Sequence, residues 1–359
     1  MKAAVCREFG KPLAIEEIDL LPAGPGEVTV DIKACAICHS DIFFIDGAWG
    51  GALPAVYGHE AAGVVRSVGA GVTTVTPGQP VVVTLIRSCG HCISCMQGVP
   101  VSCEGEVPLD SAPVLTTKSG ERLVQGMETG AFAEAVTVHE SQVVGMPTDM
   151  GFDTGSLLAC GVITGYGAVA NTAKVPPGAT VVVIGAGGVG LNTVQGAAIA
   201  GARMIVALDI SDSKLETALR FGATHAVQAA GDDAVEKVRA LTGGRGADYV
   251  FVTVGAKPAF QQAFPMAARG GAIVLVGMPP SGVMAEVDPG TVAASNQRIL
   301  GSKMGTSRIG VDIPNLISLY RQGRLKLDEL ITNRYPLDGI NEALASTKRG
   351  EALRNVILF

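Results

Sequence analysis

The 359 residues carry 27 Lys and Arg against 33 Asp and Glu, a net charge of −6, and 48% of them are apolar. That length exceeds one ordinary core, so two buried domains are expected and a small stapled scaffold is excluded. No basic cluster stands out that would neutralise a row of phosphates, which argues against nucleic acid as a partner. The first thirty residues include Arg7, Glu8, Lys11, Glu16, Glu17 and Asp19, so the uninterrupted apolar stretch of a secretory signal is not there. Up to about residue 150 the chain reads as short β segments broken by Gly and Pro: Val28 to Ile32, Ala61 to Val68, Pro80 to Thr84 and Phe132 to Val138. These predict an antiparallel, partly barrel-like domain.

The pattern then changes. Val175 to Ala202 holds no charged residue, yet its Pro-Pro-Gly, its Gly cluster, Asn192 and Gln195 read as strand, turn and helix and not as a membrane span. Thr180 to Ile184 is an apolar strand, a helix runs on to Ala200, and Met204 to Leu208 is the next strand. Helical patterns at Lys214 to Phe221 and Pro258 to Ala268 alternate with strands at Asp248 to Val252 and Ala272 to Val276. Such alternation predicts a doubly wound parallel sheet, so the fold class is α/β: a Rossmann domain beside a mostly antiparallel β domain. A helix at Ile313 to Gln322 and a strand at Asn355 to Phe359 end the chain. The expected division is a catalytic domain over 1–155 with a lobe at 88–104, a dinucleotide domain over 156–299, and a segment 300–359 that completes the first.

Eight cysteines in a chain without an export signal are expected to stay reduced, in the cytoplasm, and to serve metals or catalysis. Cys89, Cys92, Cys95 and Cys103 follow C-x2-C-x2-C-x7-C, half of the cysteines within fifteen residues. Four thiolates that close can enclose one Zn²⁺ tetrahedrally with no position left for substrate, so the site is expected to be structural. A redox cluster or a disulfide pair fits less well, because a reduced compartment and three thiols spaced by two residues favour metal, and a nucleic-acid-binding zinc ribbon fits less well because the neighbours apart from Arg87 are not basic. His91 reads as a surface residue, since four thiols already satisfy the ion.

Gly185, Gly187 and Gly190 form G-x-G-x-x-G directly after a strand and at the start of a helix, with Gly188 and Val189 between them. This context lets a pyrophosphate approach the helix N-terminus, whose unpaired N–H groups favour anions. Asp209 ends the next strand, nineteen residues beyond Gly190, where a carboxylate accepts hydrogen bonds from both ribose hydroxyls and repels a 2′-phosphate. The expected coenzyme is therefore NAD; the plainer reading of Asp209 is a helix-capping acid ahead of Ser211 and Asp212.

Cys38-His39-Ser40-Asp41, Gly58-His59-Glu60 and Ala159-Cys160-Gly161 also hold metal-capable residues. A lone Cys is commonly a small hydrophobe and a lone His a satisfied core residue, and spacing cannot join residues 38, 59 and 160.

CHSD at Cys38 to Asp41, GHEAAGVV at Gly58 to Val65, the four-cysteine lobe, ACGVITGYGAV at Ala159 to Val169 and GAGGVG at Gly185 to Gly190 together resemble the zinc-containing medium-chain alcohol dehydrogenases, in one order across nearly the whole chain. The resemblance implies that Cys38, His59 and Cys160 bind a catalytic zinc with one position left for an oxygen, making two zinc ions per chain. It implies reversible NAD-linked oxidation of a primary aliphatic or aromatic alcohol to the aldehyde, with hydride leaving an alkoxide held by zinc. Zinc lowers the pKa of bound water from about 15.7 to about 7, and a similar effect on an alcohol is worth roughly 12 kcal/mol at about 1.36 kcal/mol per unit.

By the same resemblance Ser40 hydrogen-bonds the substrate oxygen and passes its proton outward. Phe43 stands where many relatives place the His that ends this relay, so His39 is a candidate substitute, but its position usually contacts coenzyme phosphate as Arg or His, and that role is favoured. Asp41 and Glu60 resemble carboxylates that orient a ligating imidazole or soften the metal's charge. Thr164 and Val189 match positions behind the nicotinamide ring. Lys214 matches a lysine near the adenosine ribose, Arg354 a pyrophosphate contact, and Val276 joins the coenzyme set. Phe43, Trp49 and Leu85 are expected to make the substrate pocket apolar.

Glutathione-dependent formaldehyde dehydrogenases are related and use two acids in the loop before GHE. Here that loop reads Gly47-Ala48-Trp49-Gly50-Gly51, without an acid, so that activity ranks second. A non-catalytic NAD-binding zinc protein and a zinc-independent quinone reductase preferring NADPH are the other readings. Relatives assemble as homodimers or homotetramers through the nucleotide domain; a small-molecule alcohol or aldehyde is the expected partner, and no membrane is.

Overall fold

In the computed structural model, which describes residues 1–110, 114–231 and 233–359, the chain divides into two units: 1–161 with 308–323 and 327–359, and 162–307 with 324–326.

In the first unit, strands Lys2–Cys6, Ala14–Leu20, Leu115–Thr117, Arg122–Gln125 and Ala55–Val56 close a barrel in that order. Closure leaves no free edge and encloses apolar side chains such as Ile18, Leu115 and Leu123, each at most 2% exposed. A second sheet runs Val143–Gly145, Pro80–Thr84, Glu60–Val68, Glu27–Ala36, Arg354–Leu358 and Ile331–Pro336. Its central strand, Glu27–Ala36, also pairs with Ala135–His139. The strand read as Val28 to Ile32 thus extends to Ala36: Lys33, which breaks the apolar run, is the single exposed residue in it. Phe132, expected inside a strand, precedes Ala135–His139; its N–H donates to the Tyr57 carbonyl at 2.8 Å, so full burial and not strand pairing accounts for its apolar character. The C-terminal strand pairs antiparallel with Ala34, Cys35 and Ala36, and this register brings Arg354 to the end of the central strand, just before Cys38.

The second unit is a six-stranded parallel sheet in the order His225–Gln228, Met204–Asp209, Thr180–Ile184, Ala247–Val252, Ala267–Leu275 and Arg298–Gly301. Chain direction across the sheet reverses beside Thr180–Ile184, and the crevice outside the carboxyl end of that strand is where such sheets bind ligands. Val181, Val182 and Val183 are fully buried, as a strand covered on both faces requires. The glycine-led helix Gly188–Ile199 follows, and Asp209 is the last residue of the neighbouring strand. Among the described residues no single helix is long and apolar enough to cross a membrane; the uncharged stretch of 175–202 is strand, turn and helix.

Candidate metal centres and coenzyme site

Cys38 precedes the short helix His39–Ile45, His59 precedes strand Glu60–Val68, and Cys160 lies between the 3₁₀ turn Leu157–Ala159 and helix Gly161–Gly167. Sequence-distant as they are, their ligand atoms and a Glu60 carboxylate oxygen all lie within 4.8 Å of one another, and all four residues are buried. Asp41, fully buried, organises them. Its Oδ2 accepts from the Cys38 N–H at 2.9 Å, and its Oδ1 accepts from the Gly58 N–H and from His59 Nδ1, each at 3.0 Å. Gly58 makes this possible: its φ is +93°, and a Cβ there would lie 2.6 Å from the Phe132 nitrogen. With Nδ1 donating to Asp41, His59 turns a bare Nε2 into the cluster, and that buried atom has no hydrogen-bond partner.

Burial and mutual contact shift the titratable groups of the cluster in opposite directions. The Cys38 thiol is held well below its ordinary range, chiefly by its hydrogen bond with Cys160, and the same bond together with burial drives Cys160 well above it. Burial alone lowers the His59 pKa, but the charge and hydrogen bond of Asp41 outweigh it and leave the imidazole well above its usual value. Burial pushes Glu60 up to about 8 against the opposing charge of Arg354. A divalent cation would give Nε2 the partner it lacks, and two thiols and an imidazole are donors suited to zinc.

Arg354, expected to contact pyrophosphate, is 5% exposed, donates to both Glu60 oxygens at 2.6 and 2.7 Å, and reaches the Ile37 carbonyl at 3.2 Å. Its neighbourhood in this unit is thus the metal cluster, where it compensates the charge of Glu60. No local sequence signal marks this pair, whose members lie 294 residues apart. His39 is exposed and Ser40 half-buried in the first turn of their helix. Phe43 and Phe44 pack on Trp49 with ring centroids 5.1 and 5.2 Å apart, and Leu85 is half-buried one residue beyond strand Pro80–Thr84.

The four lobe sulfurs also fall within 4.8 Å of one another. Backbone N–H groups point at them: Cys89 N to Cys103 Sγ at 3.2 Å, Cys92 N to Cys89 Sγ at 3.3 Å and Glu104 N to Cys92 Sγ at 3.5 Å. Backbone donation, first from Glu104, brings Cys92 down to about 6. Such donors stabilise thiolates, the form that binds metal. His91 is exposed and its Nδ1 lies 2.8 Å from the Cys89 carbonyl. All eight cysteines are free thiols.

In the second unit, Gly185 has φ +98° and its carbonyl lies only 1.8 Å from where a Gly190 Cβ would stand, so both positions exclude a side chain. A Cβ on Gly187 would meet nothing within 4 Å, which leaves that face of the helix start open to a ligand. Asp209 Oδ2 accepts from the Ala186 N–H at 2.7 Å and Oδ1 from the Ser211 N–H at 3.0 Å, tying the carboxylate to the glycine loop. Ser211, and not Asp209, holds the N-cap position of helix Asp212–Arg220, which carries Lys214, and its side chain makes no capping hydrogen bond. Thr164 and Val189 belong to neighbouring helices, since a Cβ on Gly165 would lie 2.4 Å from the Val189 carbonyl; Thr164 Oγ1 donates to the Met304 sulfur at 3.6 Å. Val276 is buried just past the fifth strand of the sheet, and its N–H donates to the Val252 carbonyl. Gly188 is the first residue of the glycine-led helix. These residues fit a dinucleotide.

Residues 24–148 match the alcohol dehydrogenase GroES-like domain and residues 188–321 the zinc-binding dehydrogenase domain. The chain is 37% identical to an NDMA-dependent alcohol dehydrogenase of Amycolatopsis methanolica, over 99% of this chain and 98% of that protein. It is 36% identical to an S-(hydroxymethyl)glutathione dehydrogenase of Paracoccus denitrificans, over 100% and 99%. The crystal structure of benzyl alcohol dehydrogenase from Acinetobacter calcoaceticus superposes with a TM-score of 0.94 at 30% identity, covering 100% of this chain and 99% of that one.

Proposed function

Because this chain belongs to the zinc-containing medium-chain alcohol dehydrogenases and is an NAD-dependent oxidoreductase of that kind, we propose that it interconverts a primary aliphatic or aromatic alcohol and its aldehyde, with Cys38, His59 and Cys160 holding the catalytic zinc and Cys89, Cys92, Cys95 and Cys103 a structural one. The observation that carries the reading is the unpartnered, buried His59 Nε2 aimed at two thiols.

Bound among these donors, zinc supplies Lewis acidity that makes an alcohol proton labile near neutral pH and polarises a carbonyl in the reverse direction. Asp41 keeps His59 in the tautomer that offers Nε2 and fixes the ring's direction. The Ser40 hydroxyl hydrogen-bonds the substrate oxygen and passes its own proton outward as it accepts the substrate's; His39, exposed beside it, contacts coenzyme phosphate and is the candidate to hand the proton to solvent where Phe43 cannot. Gly185, Gly187, Gly188 and Gly190 receive the pyrophosphate and Asp209 the adenosine ribose. Thr164 and Val189 back the nicotinamide, Lys214 lies by the ribose, and Val276 completes the coenzyme set.

Phe43, Trp49 and Leu85 make the substrate pocket apolar, and the likeness to a benzyl alcohol dehydrogenase supports an aromatic alcohol. The 36% identity to an S-(hydroxymethyl)glutathione dehydrogenase keeps a glutathione adduct as the second reading, disfavoured by the acid-free loop 47–51. Assembly as a homodimer or homotetramer in the cytoplasm completes the proposal; the edge strand Arg298–Gly301, with Ile299 43% exposed, is available for pairing. Straight-chain alcohols, benzyl alcohol and S-(hydroxymethyl)glutathione, each assayed with NAD and NADP, test it. Turnover of benzyl or straight-chain alcohols with NAD is expected; exclusive turnover of the glutathione adduct overturns the substrate assignment.

A further inference from the structure

Between strand Pro80–Thr84 and the four-cysteine lobe lies a short connection, Leu85 to Ser88, and a buried polar chain grips both of its ends. Gln142 is its hub. Fully buried, it donates from Nε2 to the Thr84 carbonyl at 3.0 Å and to the Glu128 carbonyl at 2.9 Å. Its Oε1 accepts from Arg87 Nε at 3.1 Å and from the His139 N–H at 3.2 Å. Every hydrogen-bonding position of the amide is thereby used. The Arg87 side chain, 7% exposed, also pairs with Asp110 and donates to the Glu128 carbonyl at 3.1 Å, while the Ser88 N–H donates to Ser141 Oγ at 2.9 Å, one residue before Cys89.

At the other end, the fully buried Thr84 hydroxyl donates to the Ala159 carbonyl at 2.7 Å. The peptide group so held is the one that joins Ala159 to Cys160. Cys160 has φ −144° and ψ −70°, outside the helical and extended regions, so nothing in its local backbone preference directs its sulfur toward Cys38. The hydroxyl grip supplies that direction from outside.

We propose that Thr84 is a positioning residue for Cys160, and that Gln142 and Arg87 couple it to the base of the four-cysteine lobe, so that the structural metal site braces the catalytic one. The inference rests on Cys160 being a ligand of the catalytic metal. A networked buried hydrogen bond restrains more than its isolated strength implies, and partners that orient metal ligands typically change metal affinity about 10–100-fold when removed. Lobe and catalytic cluster then form one cooperative structure within this unit.

The test uses the full-length protein with cobalt substituted for zinc, whose visible bands report the ligand field at each site independently of turnover. In wild type and in Thr84→Ser, Thr84→Val, Gln142→Leu and Arg87→Met, the spectra and the rate of metal release to a chelator are measured. Thr84→Val is expected to shift the catalytic-site bands and speed release from that site about tenfold with the lobe metal retained, and Thr84→Ser to restore both. Arg87→Met is expected to do the same to a lesser degree, and its effect to be less than additive with that of Thr84→Val. Wild-type bands and release rate in Thr84→Val overturn the proposal. Gln142→Leu is expected to act as Arg87→Met does; should it fail to fold, Arg87→Met decides the coupling, and effects of Arg87→Met and Thr84→Val that simply add, or no effect of Arg87→Met, overturn the bracing. A wild-type protein that binds only one cobalt refutes the two-metal assignment instead, and so is distinguishable from failure of the bracing.

Discussion

Replacing Asp41 by Asn tests the design of the metal site with almost no change of volume. The carboxylate serves three donors: Oδ1 takes the Gly58 N–H and His59 Nδ1, and Oδ2 takes the Cys38 N–H. An amide retains one oxygen and puts an NH₂ in place of the other. With its oxygen at the Oδ1 position it turns that NH₂ on the Cys38 N–H, donor against donor; reversed, it abandons both Gly58 and His59. A hydrogen bond to a charged group is worth about 1.5–3 kcal/mol and an orphaned buried donor costs about 1–3 kcal/mol. Together these put the milder placement at about 2.5–6 kcal/mol. Part of that loss falls on the backbone around Cys38 and part on the imidazole, so zinc at the catalytic site should bind about 10–100-fold more weakly. Zinc release to a chromophoric chelator, followed together with total metal content, measures this directly, and the lobe zinc serves as an internal control. Wild-type release kinetics in Asp41→Asn would refute the reasoning, because they would mean that the imidazole is held without its carboxylate.

Cys38→Ala should reduce two zinc ions per chain to one and abolish alcohol oxidation; metal analysis that finds a single zinc in the native protein removes the catalytic-site assignment. Asp209→Gly should weaken NAD by about tenfold or more, one hydrogen bond to a charged group being enough for that factor. It should also raise NADP use relative to NAD, read as the ratio of kcat/KM values. Gly190→Ala forces a Cβ to within 1.8 Å of the Gly185 carbonyl, so the nucleotide unit should lose about 1–3 kcal/mol or more and its thermal transition should fall. Gly187→Ala meets nothing within 4 Å and should leave that transition in place while raising the Kd for NADH in a fluorescence titration.

Local pattern was sufficient wherever the physics is local. Val181 to Val183 read as a buried strand because a strand covered on both faces needs continuous apolar side chains, and the glycines after it read as a phosphate loop from their spacing after a strand, Gly185 and Gly190 meeting a steric demand of their neighbours and Gly187 leaving the helix start open. The four lobe cysteines could be grouped for the same reason: all four lie in one stretch of fifteen residues, and their sulfurs fall within 4.8 Å of one another. Where strand ends depended on partners, pattern misled, as at Lys33, which sits exposed inside a long strand, and at Phe132, which is buried without belonging to one.

Convergence belonged to the tertiary structure. Cys38, His59 and Cys160 are far apart in sequence, and only family resemblance could group them; the fold brings them within 4.8 Å because a helix start, a strand start and a turn end at one place. The same holds for Arg354, whose pairing with Glu60 follows from the register of the last strand against Glu27–Ala36, and for Thr84, which reads in sequence as the end of an apolar strand. A residue's own type and neighbours set its backbone and its burial preference, whereas the direction of a buried polar group is set by whichever distant partner satisfies it, and that partner is chosen by packing.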